Sequence, residues 1–278
     1  MKEINKRLII SDFDGTLANS QNAVSDRVKQ AIDEYVTCGG IFAVCTGRML
    51  KSILPRVSEL GLKGLVAAYQ GSVIADIESG KLLRNNSLSV DDCIEICAFA
   101  EKYDYTCNIY SDEILYTSIP SGDAGLITYE TITGVKAINV DGSMSQFVKE
   151  NNLACNKITF LVNPKERERL YELLRSQFSK KFDVTCSAAV LVEISPKGDD
   201  KGAALKFISE HFGIDLSLTV AIGDNLNDLS MIKLASVGVA VGNAVESLKK
   251  EADYISASNN DDAVAEIIEK FGFGKYYV

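Results

Sequence analysis

One ten-residue segment, LIISDFDGTL at residues 8–17, constrains the fold of this chain more than any other. Its apolar start, Leu8 to Ile10, is bounded by a glycine turn, a pattern typical of a buried strand in a parallel sheet. Ligands of such sheets bind at the carboxyl ends of the strands, where Asp12 and Asp14 are expected to emerge. The alternative is a strand that ends in an ordinary Asp-Gly turn with solvated carboxylates. The segment therefore predicts an α/β fold whose site depends on what the other strand ends carry.

Length, charge and hydropathy exclude several classes of protein. The chain has 278 residues, enough for one large domain or two. Its net charge of −9 argues against a protein that binds the phosphate backbone of nucleic acid. No stretch approaches the ~20 apolar residues of a membrane span, and the N-terminus does not have the pattern of a signal peptide. We expect a globular protein that binds neither nucleic acid nor membrane.

The cysteines and the single histidine leave carboxylates as the main reactive groups. Seven cysteines are scattered along the chain without a CxxC pair, and several lie inside apolar strands, where a reduced cysteine acts as a small hydrophobic residue. This usage favours a reducing cytoplasm and argues against a zinc site. His211 lies near the C-terminal end of a predicted helix, where it interacts with the helix dipole or is simply exposed. The chemistry is therefore expected to rest on aspartates.

The first part of the chain alternates strands and helices. A helix is predicted over 24–38, strand IFAVCT ends at Thr46, and strand LVAAY leads to Gln70. This order implies a parallel sheet with right-handed crossovers. Thr46 and the backbone donor at Gly47 are suited to holding a phosphate oxygen, although a threonine here can equally begin the next helix as its N-cap.

The middle of the chain loses this strict alternation. Strands and helices are mixed there, which predicts an α+β module over 86–188 inserted into a core formed by 1–85 and 189–278. Strand VKAIN follows strand ILYTS with no helix assigned between them, and the apolar stretch DVTCSAAVLVEIS is interpreted as one strand segment. The core then resumes with a helix that begins near Lys201 and with strand LTVAIGD, which ends at Asp224.

The polar groups at these positions are those needed for phosphoryl transfer. A carboxylate can attack phosphorus, Mg²⁺ and a lysine can neutralise the oxygens, and a second carboxylate can move protons. Competing motifs are absent: there is no GxxxxGK[ST], no strand followed by GxGxxG, and no complete EF-hand loop. Three strand ends and one helix start carry the relevant side chains, namely Asp12 with Asp14, Thr46, Asp224 with Asp228, and Lys201.

Four segments in this order, DFDGT, TGR, KG and GDNLND, resemble the ordered motifs of the haloacid dehalogenase superfamily. The insert resembles the large α/β cap of the Cof-type sugar-phosphatase branch, so the resemblance covers the whole chain. It implies a Rossmann-like parallel-sheet core with an inserted α+β cap that governs substrate specificity. It further implies a Mg²⁺-dependent phosphatase that hydrolyses small phosphate monoesters, such as sugar phosphates, through an aspartyl-phosphate.

The resemblance also assigns roles to single residues. It places the nucleophile at Asp12 and the general acid/base at Asp14, whose backbone carbonyl also serves Mg²⁺. The segment Gln70-Gly71-Ser72 departs from the Asn-Gly-Ala common in relatives, so altered substrate contacts are expected at Gln70, and Arg48 is a further substrate candidate. The remaining assignments are phosphate binding by Phe13, Thr46, Gly47, Lys201 and Asn227, and Mg²⁺ binding by Asp12, Asp14, Asp224, Asn225 and Asp228.

Two other functions share these motifs. A phosphomutase would use the same nucleophile and metal but return the phosphoryl group to a bound hexose phosphate. A non-catalytic sensor of phosphometabolites would keep the fold and lose a catalytic group, and the presence of every expected catalytic residue counts against it. We predict hydrolysis, with a small phosphorylated metabolite as the partner.

Overall fold

The structure, a computed structural model, describes residues 4–5 and 7–273, apart from the side chains of Ser187 and Ala188. Its strands are β1 (Leu8–Ser11), β2 (Ile41–Cys45), β3 (Leu65–Ala68), β4 (Val73–Asp76), β5 (Leu82–Asn85), β6 (Asn108–Ser111), β7 (Ile114–Thr117), β8 (Ala137–Asn139), β9 (Lys157–Leu161), β10 (Phe182–Ala188), β11 (Leu191–Pro196), β12 (Thr219–Gly223), β13 (Val237–Ala240) and β14 (Tyr254–Ile255). Its helices are α1 (Asp26–Thr37), α2 (Leu50–Glu59), α3 (Val90–Lys102), α4 (Ala124–Thr133), α5 (Met144–Asn151), α6 (Pro164–Phe178), α7 (Lys201–His211), α8 (Leu229–Leu234), α9 (Glu246–Lys249) and α10 (Ala263–Ile267).

The described residues group into two compact units. The first unit comprises the chain up to Gly47, the stretch Ile53–Leu83, and the chain from Asp200 onward. The second unit comprises Arg48–Ser52 and Arg84–Asp199.

An eight-stranded sheet in the order β14-β13-β12-β1-β2-β3-β4-β5 forms the framework of the first unit. The strands from β14 to β3 are parallel, and β3 pairs with β4 in antiparallel orientation. Every residue of β1 and of β12 is buried, so both faces of these central strands are covered. Such two-sided burial is the reason why LIIS is continuously apolar up to its last residue. The predicted α/β class with a parallel-sheet core is confirmed.

The second unit contains a six-stranded sheet in the order β10-β11-β9-β6-β7-β8, antiparallel except for the β7–β8 pair. One face of this sheet is apolar and packs against α3, α5 and α6. Ile109, Ile158 and Phe160 from the strands contribute to a buried cluster with helix residues such as Ile96 and Leu174. Strand residues alternate between the two faces, so the intervening positions of β6 and β9 lie on the opposite face.

The predicted boundary of the insert differs from the structure at its C-terminal end. The prediction ended the insert at residue 188, but Leu191–Pro196 pairs with both β10 and β9 and therefore lies in the six-stranded sheet. The stretch interpreted as one strand is thus a hairpin of β10 and β11. Its turn at 189–190 contains neither glycine nor proline, the residues that ordinarily signal a turn.

Helix α4 is the element that the sequence pattern did not indicate. Its sequence AGLITYETIT contains a glycine and five β-branched residues, which are weak helix formers. The ends are nevertheless well defined: the Asp123 side chain accepts a hydrogen bond from the Leu126 backbone N–H, and Gly134 ends the helix in the left-handed conformation. Leu126 is the one buried residue within the helix. Such weak packing leaves no apolar periodicity to detect.

Candidate active site

Three neighbouring parallel strands of the first unit end at one edge of its sheet. β1 lies between β12 and β2 and is parallel to both. Asp12 follows β1, Thr46 follows β2, and Asp224 follows β12. Because the carboxyl ends of parallel strands share one edge, these three polar residues lie on the same side of the sheet.

Lys201 brings two of the predicted aspartates together. It begins α7, because the Asp200 side chain accepts a hydrogen bond from the Ala203 backbone N–H at 2.8 Å and so starts the helix there. Its Nζ lies 2.6 Å from Asp12 Oδ1 and 2.5 Å from Asp228 Oδ1. The side chains of Lys201 and Asp228 are both 0% exposed. A lysine without solvent contact is tolerated only when carboxylates pair with it, and here there are two.

The electrostatics of this cluster are dominated by burial and by a shortage of positive charge. Burial raises the pKa of Asp12 well above its usual value, and the Lys201 ammonium opposes that rise. Burial alone would lower the pKa of Lys201, but the Asp12 and Asp228 carboxylates hold it above its usual value. Burial, followed by the nearby Asp228 carboxylate, raises the pKa of Asp224 to about 6. One ammonium does not balance three carboxylates, so the cluster is suited to a further cation.

The carboxylates of this cluster fit a divalent cation. One oxygen from each of Asp12, Asp224 and Asp228 lies within 4.8 Å of the others. Carboxylate oxygens are the ligands that Mg²⁺ prefers. Both oxygens of Asp228 are engaged: Oδ1 contacts Lys201, and Oδ2 accepts hydrogen bonds from the backbone N–H groups of Asp224 at 2.8 Å and Asn225 at 3.0 Å. The geometry therefore favours Asp12 and Asp224 as direct ligands and Asp228 as the residue that positions them.

The turn after Asp12 approaches the Asp224 carboxylate closely. Gly15 has φ +76°, and a Cβ at this position would lie 2.8 Å from Asp224 Oδ2. Thr16 Oγ1 donates a hydrogen bond to Asp224 Oδ1 at 3.2 Å. Glycine at position 15 thus suits both the positive φ and the close approach of the Asp224 carboxylate. Threonine at position 16 supplies the hydroxyl that donates to that carboxylate.

Gln70 lies between two segments that the sequence assigned to phosphate binding. Its Oε1 accepts a hydrogen bond from Asn227 Nδ2 at 3.1 Å, and its backbone N–H donates to Thr46 O at 2.9 Å. A Cβ at Gly47 would lie 2.6 Å from Gln70 Nε2, so Gly47 makes room for this amide. Gln70 has φ +61°, an uncommon conformation for a residue other than glycine. The structure therefore places Gln70 beside Thr46, Gly47 and Asn227.

The remaining predicted site residues differ in exposure, and one of them belongs to the second unit. Asp14 is exposed and forms a backbone bridge with Ala18, whereas the Phe13 side chain is 2% exposed. Arg48 belongs to the second unit, where its Nη1 donates to Ser52 Oγ at 3.5 Å. Asn225 Oδ1 accepts a hydrogen bond from the Leu226 backbone N–H at 2.8 Å, so its side chain begins the short helical turn that carries Asp228.

Two residues at this edge were not assigned roles from the sequence. Thr16 orients Asp224, as described above. Asn243 follows β13; its Nδ2 donates to Gly15 O at 2.8 Å and its Oδ1 accepts from the Asn259 backbone N–H at 2.9 Å. The position of Asn243 just beyond a predicted strand was the signal that could have indicated it.

Comparison with known proteins decides the family. A family model described as haloacid dehalogenase-like hydrolase matches residues 9–268. The chain belongs to this family. The predicted membership of the haloacid dehalogenase superfamily and of its Cof-type branch is confirmed, and so is the predicted class of enzyme, a phosphatase acting on phosphoric monoesters.

Similar proteins cover nearly the whole chain. The phosphatase YwpJ of Bacillus subtilis is 28% identical over 285 residues, covering 95% of this chain and 99% of its own. The 5-amino-6-(5-phospho-D-ribitylamino)uracil phosphatase YwtE of Bacillus subtilis is 26% identical over 291 residues, covering 97% of this chain and 99% of its own. The crystal structure of a haloacid dehalogenase-like hydrolase from Bacteroides thetaiotaomicron superposes with a TM-score of 0.84 at 29% identity, covering 95% of this chain and 98% of its own.

No helix within the described part of the chain combines the length and apolar character needed to cross a membrane.

Proposed function

We propose that this protein is a Mg²⁺-dependent phosphatase that hydrolyses small phosphate monoesters through a phosphorylated Asp12. The observation that carries the proposal is the buried Lys201, held between Asp12 and Asp228 next to Asp224. This arrangement places an oriented carboxylate beside a fixed positive charge at the carboxyl end of a parallel strand.

The residues divide the reaction between them as follows. The Asp12 carboxylate attacks phosphorus, and the bond from phosphorus to the ester oxygen breaks. Asp14, two residues further on and exposed, gives its proton to the departing alkoxide. Asp14 then takes a proton from water, whose oxygen attacks the phosphorus of the aspartyl-phosphate, and phosphate leaves with Asp12 regenerated. Lys201 holds the Asp12 carboxylate in position throughout.

Phosphate contacts and a cation complete the site. Thr46, Gly47 and Asn227 are proposed to bind the phosphoryl oxygens, with the backbone at Phe13. Asp12 and Asp224 would hold Mg²⁺ together with the Asp14 carbonyl, and Asn225 and Asp228 would support them; the cation would supply charge that Lys201 alone does not provide. Gln70, through its contact with Asn227, and Arg48 are proposed to touch the substrate.

The second unit is proposed to act as the cap that selects the substrate. One relative is named as a phosphatase of a phosphoribityl compound, and we propose that this chain also acts on a small phosphorylated metabolite such as a sugar phosphate. A cytoplasmic location is proposed because all seven cysteines are free thiols, five of them buried.

Phosphate release from p-nitrophenyl phosphate and a panel of phosphorylated metabolites tests the proposal. We expect turnover with Mg²⁺, none in excess EDTA, and recovery when Mg²⁺ is restored. Asp12→Asn should lower kcat by about 10³-fold or more, since no nucleophile remains. Asp215→Asn makes the same chemical change at an exposed turn of the first unit and should leave kcat unchanged. Full activity in EDTA, or isomerisation of a hexose phosphate without phosphate release, would overturn the proposal.

Single-turnover kinetics test the role of Asp14. Asp14→Asn keeps the backbone carbonyl but cannot carry a proton. The first step should slow by about 10²-fold or more for sugar phosphates, whose alkoxide leaving groups need a proton, and far less for p-nitrophenyl phosphate. With the aryl substrate, phosphorylated Asp12 should accumulate and give a burst of nitrophenolate. Equal slowing of the first step for both substrates would mean that Asp14 is not the acid.

A further inference from the structure

Two asparagine side chains hold the turn at residues 14–18 from outside. Asn243 Nδ2 donates a hydrogen bond to Gly15 O at 2.8 Å, and Asn259 Nδ2 donates one to Ala18 O at 2.9 Å. We call residues 14–18 the acid turn, because the segment begins with the proposed general acid, and Asn243 with Asn259 the asparagine pair. The asparagine pair thus holds backbone carbonyls near both ends of the acid turn.

The acid turn places an exposed side chain on a backbone that contains a glycine. Asp14 is exposed, and Gly15, with φ +76°, follows it directly. Glycine populates positive and negative φ about equally, so its own sterics do not fix the backbone next to Asp14. The hydrogen bond from Asn243 restrains the carbonyl of this glycine. Asn259 restrains Ala18, whose backbone forms a bridge with Asp14. Both contacts therefore restrain the backbone that carries the Asp14 carboxyl group.

The asparagine pair is supported by its own hydrogen bonds. Asn243 Oδ1 accepts a hydrogen bond from the Asn259 backbone N–H at 2.9 Å. Asn259 Oδ1 accepts one from Ser258 Oγ at 3.3 Å. The two loops are further joined by the Gly242 N–H, which donates to Ala257 O at 2.8 Å. Each side-chain amide therefore uses its oxygen within these two loops and donates through its NH₂ group to the acid turn.

The asparagine pair comes from two outer strands of the first unit. Asn243 follows β13 and Asn259 follows β14; both strands are parallel to β12, so they end at the edge of the sheet where the site lies. Since β12 lies between β13 and β1, the loop after β13 crosses the end of β12 to reach the acid turn. There the Val245 N–H donates to Asp224 O at 2.9 Å. One loop thus contacts the backbone of both carboxylate-bearing segments, at Asp224 and at Gly15.

Exposure and charge favour a positioning role over a purely structural one. Asn243 is exposed and Asn259 is half-buried, and a neutral hydrogen bond contributes only modestly to stability. A proton donor, in contrast, must lie within hydrogen-bond reach of the departing oxygen, and a displacement of about 1 Å can cost roughly 10²-fold in rate. An amide also adds no charge to a site that already holds excess negative charge. The contacts of the asparagine pair therefore matter more for the place of Asp14 than for the fold.

We propose that Asn243 and Asn259 are positioning residues for Asp14. By restraining the acid turn, they hold the Asp14 carboxyl group within reach of the alkoxide oxygen that takes its proton as the bond to phosphorus breaks. This role rests on the proposed phosphatase function, in which Asp14 is the general acid.

Single-turnover kinetics with two kinds of leaving group test this role. We define the leaving-group ratio as the first-step rate of an alkyl phosphate divided by that of p-nitrophenyl phosphate. The alkyl phosphate is the best wild-type substrate among ribose 5-phosphate, glucose 6-phosphate and glycerol 3-phosphate. Asn243→Ala should lower this ratio by about 10-fold, because a displaced acid slows the step that needs its proton. Asn259→Ala, whose contact lies at the far end of the acid turn, should lower it by about 3-fold.

Asn243→Asp separates the donor of this side chain from its acceptor. The carboxylate has the same shape and keeps an oxygen for the Asn259 N–H, but it has no proton to donate to Gly15 O. Its added charge acts on both substrates and cancels in the leaving-group ratio, which should fall as far as in Asn243→Ala. A ratio equal to that of the wild type would overturn the proposed contact at Gly15.

A double-mutant cycle tests whether Asn243 acts through Asp14. Asp14→Asn alone should lower the leaving-group ratio by about 10²-fold, as argued above. Adding Asn243→Ala to Asp14→Asn should lower it no further, since residues that act as one unit have non-additive effects. Effects that multiply would mean that Asn243 acts independently of Asp14.

Asn5→Ala is the matched control. Asn5 Nδ2 also donates to a backbone carbonyl, Phe271 O at 3.3 Å, and Asn5 precedes β1, at the opposite edge of the sheet from the site. This variant removes the same kind of hydrogen bond and should leave the leaving-group ratio unchanged. A similar fall of the ratio in Asn5→Ala would assign the effect to general loosening of the first unit.

Hydrogen exchange measures the restraint itself, without substrate. The Ala18 amide donates to Phe13 O at 2.8 Å within the turn. Its exchange should become about 5-fold faster or more in Asn243→Ala and Asn259→Ala, as expected for the loss of one hydrogen bond, and should not change in Asn5→Ala. Unchanged exchange in both asparagine-pair variants would overturn the proposed restraint.

The outcomes separate this inference from the proposed function. Equal slowing of both substrates in Asn243→Ala, together with a lowered ratio in Asp14→Asn, would overturn the role of the asparagine pair and leave Asp14 as the acid. An unchanged ratio in Asp14→Asn, or a wild type that hydrolyses p-nitrophenyl phosphate but none of the alkyl phosphates, would overturn both the acid role and its positioning. Absence of any turnover with Mg²⁺ would overturn the phosphatase function itself.

Discussion

Among the described residues, each unit buries one lysine against carboxylates, and the two lysines differ in charge balance. Lys201 of the first unit contacts Asp12 and Asp228, with Asp224 close by. Lys157 of the second unit contacts Glu193. Burial lowers the pKa of each lysine, and in both cases the neighbouring carboxylates raise it above its usual value by more. The first cluster keeps excess negative charge, whereas the second is neutral.

The difference follows from position in the sheet. Lys201 meets carboxylates at the carboxyl ends of parallel strands, where backbone turns leave room for a ligand. Lys157 and Glu193 lie within antiparallel strands, where side chains stand across the sheet from one another and can satisfy each other completely. We therefore interpret the excess negative charge at the strand ends as a sign of a catalytic role, and the balanced pair within the sheet as a sign of a structural role.

The largest expected effect comes from Lys201→Met. It leaves Asp12 and Asp228 buried without their cation, so kcat with p-nitrophenyl phosphate should fall by about 10³-fold. The free energy of unfolding in EDTA should fall by about 3–5 kcal/mol, and Mg²⁺ should restore part of it. The initial rate with p-nitrophenyl phosphate measures the change in kcat. Urea unfolding in EDTA and in Mg²⁺ measures the two changes in the free energy of unfolding. Retention of wild-type kcat would show that excess charge at the strand ends does not mark the chemistry.

Lys157→Met should separate stability from activity. It leaves Glu193 unpaired, so the free energy of unfolding should fall by about 3–5 kcal/mol, while kcat with p-nitrophenyl phosphate per folded molecule stays near that of the wild type. The double variant Lys157→Met/Glu193→Leu should recover most of the lost stability. A drop in kcat as large as that of Lys201→Met would erase the proposed distinction between the two clusters.

Gly15→Ala tests whether the close approach to Asp224 matters beyond backbone strain. Both Gly15 and Gly80 have positive φ, +76° and +68°, but a Cβ at Gly80 would meet no atom within 4 Å. Alanine at either position should cost about 1 kcal/mol of stability. Gly15→Ala should also displace the Asp224 carboxylate and lower kcat/KM by roughly 10- to 100-fold. Equal kcat/KM values for the two variants would assign Gly15 to the turn alone.

The smallest effect is expected at the ion pair of Asp92 and Lys181, which is more exposed than the two buried clusters and serves as their reference. Burial raises the pKa of Asp92, but hydrogen bonds from Lys181 and Ser89 outweigh it and lower the pKa below its usual value. A lowered pKa stabilises the fold above the unfolded value of 3.8, and this contribution is lost as the pH falls through the folded value. Asp92→Asn should therefore lower the free energy of unfolding by less than about 1 kcal/mol at pH 7, because the Lys181 side chain is half exposed. In strong acid the substitution should not change the free energy of unfolding. Denaturant unfolding at both pH values measures this, and a cost that persists in acid would contradict the assignment to charge.

The sequence by itself determined the family and the edge of the sheet at which chemistry takes place. Asp12, Thr46 and Asp224 each follow an apolar run of strand length, and parallel strands must end at a common edge, so their proximity follows from local pattern and handedness. Lys201 was found in the same way, because Asp200 marks a helix start beside Gly202. These sequence signals are local, and few arrangements other than a parallel sheet with its strand ends at one edge satisfy them.

Tertiary structure decided which polar groups contact one another and which lack a hydrogen-bond partner among the described residues. The contact of Lys201 with Asp228, the Thr16 and Asn243 contacts, and the position of Gln70 beside Gly47 all join residues far apart in the chain. The strand pairing that places Leu191–Pro196 in the second unit is likewise a long-range choice, since its turn carries no glycine or proline. The unpartnered amide of Asn108 is the clearest case: its sequence neighbours show a polar residue at a strand start, and only the packed sheet shows that nothing in the described chain satisfies it. Hydrogen-bond satisfaction depends on every neighbour in space, so no local pattern can reveal it.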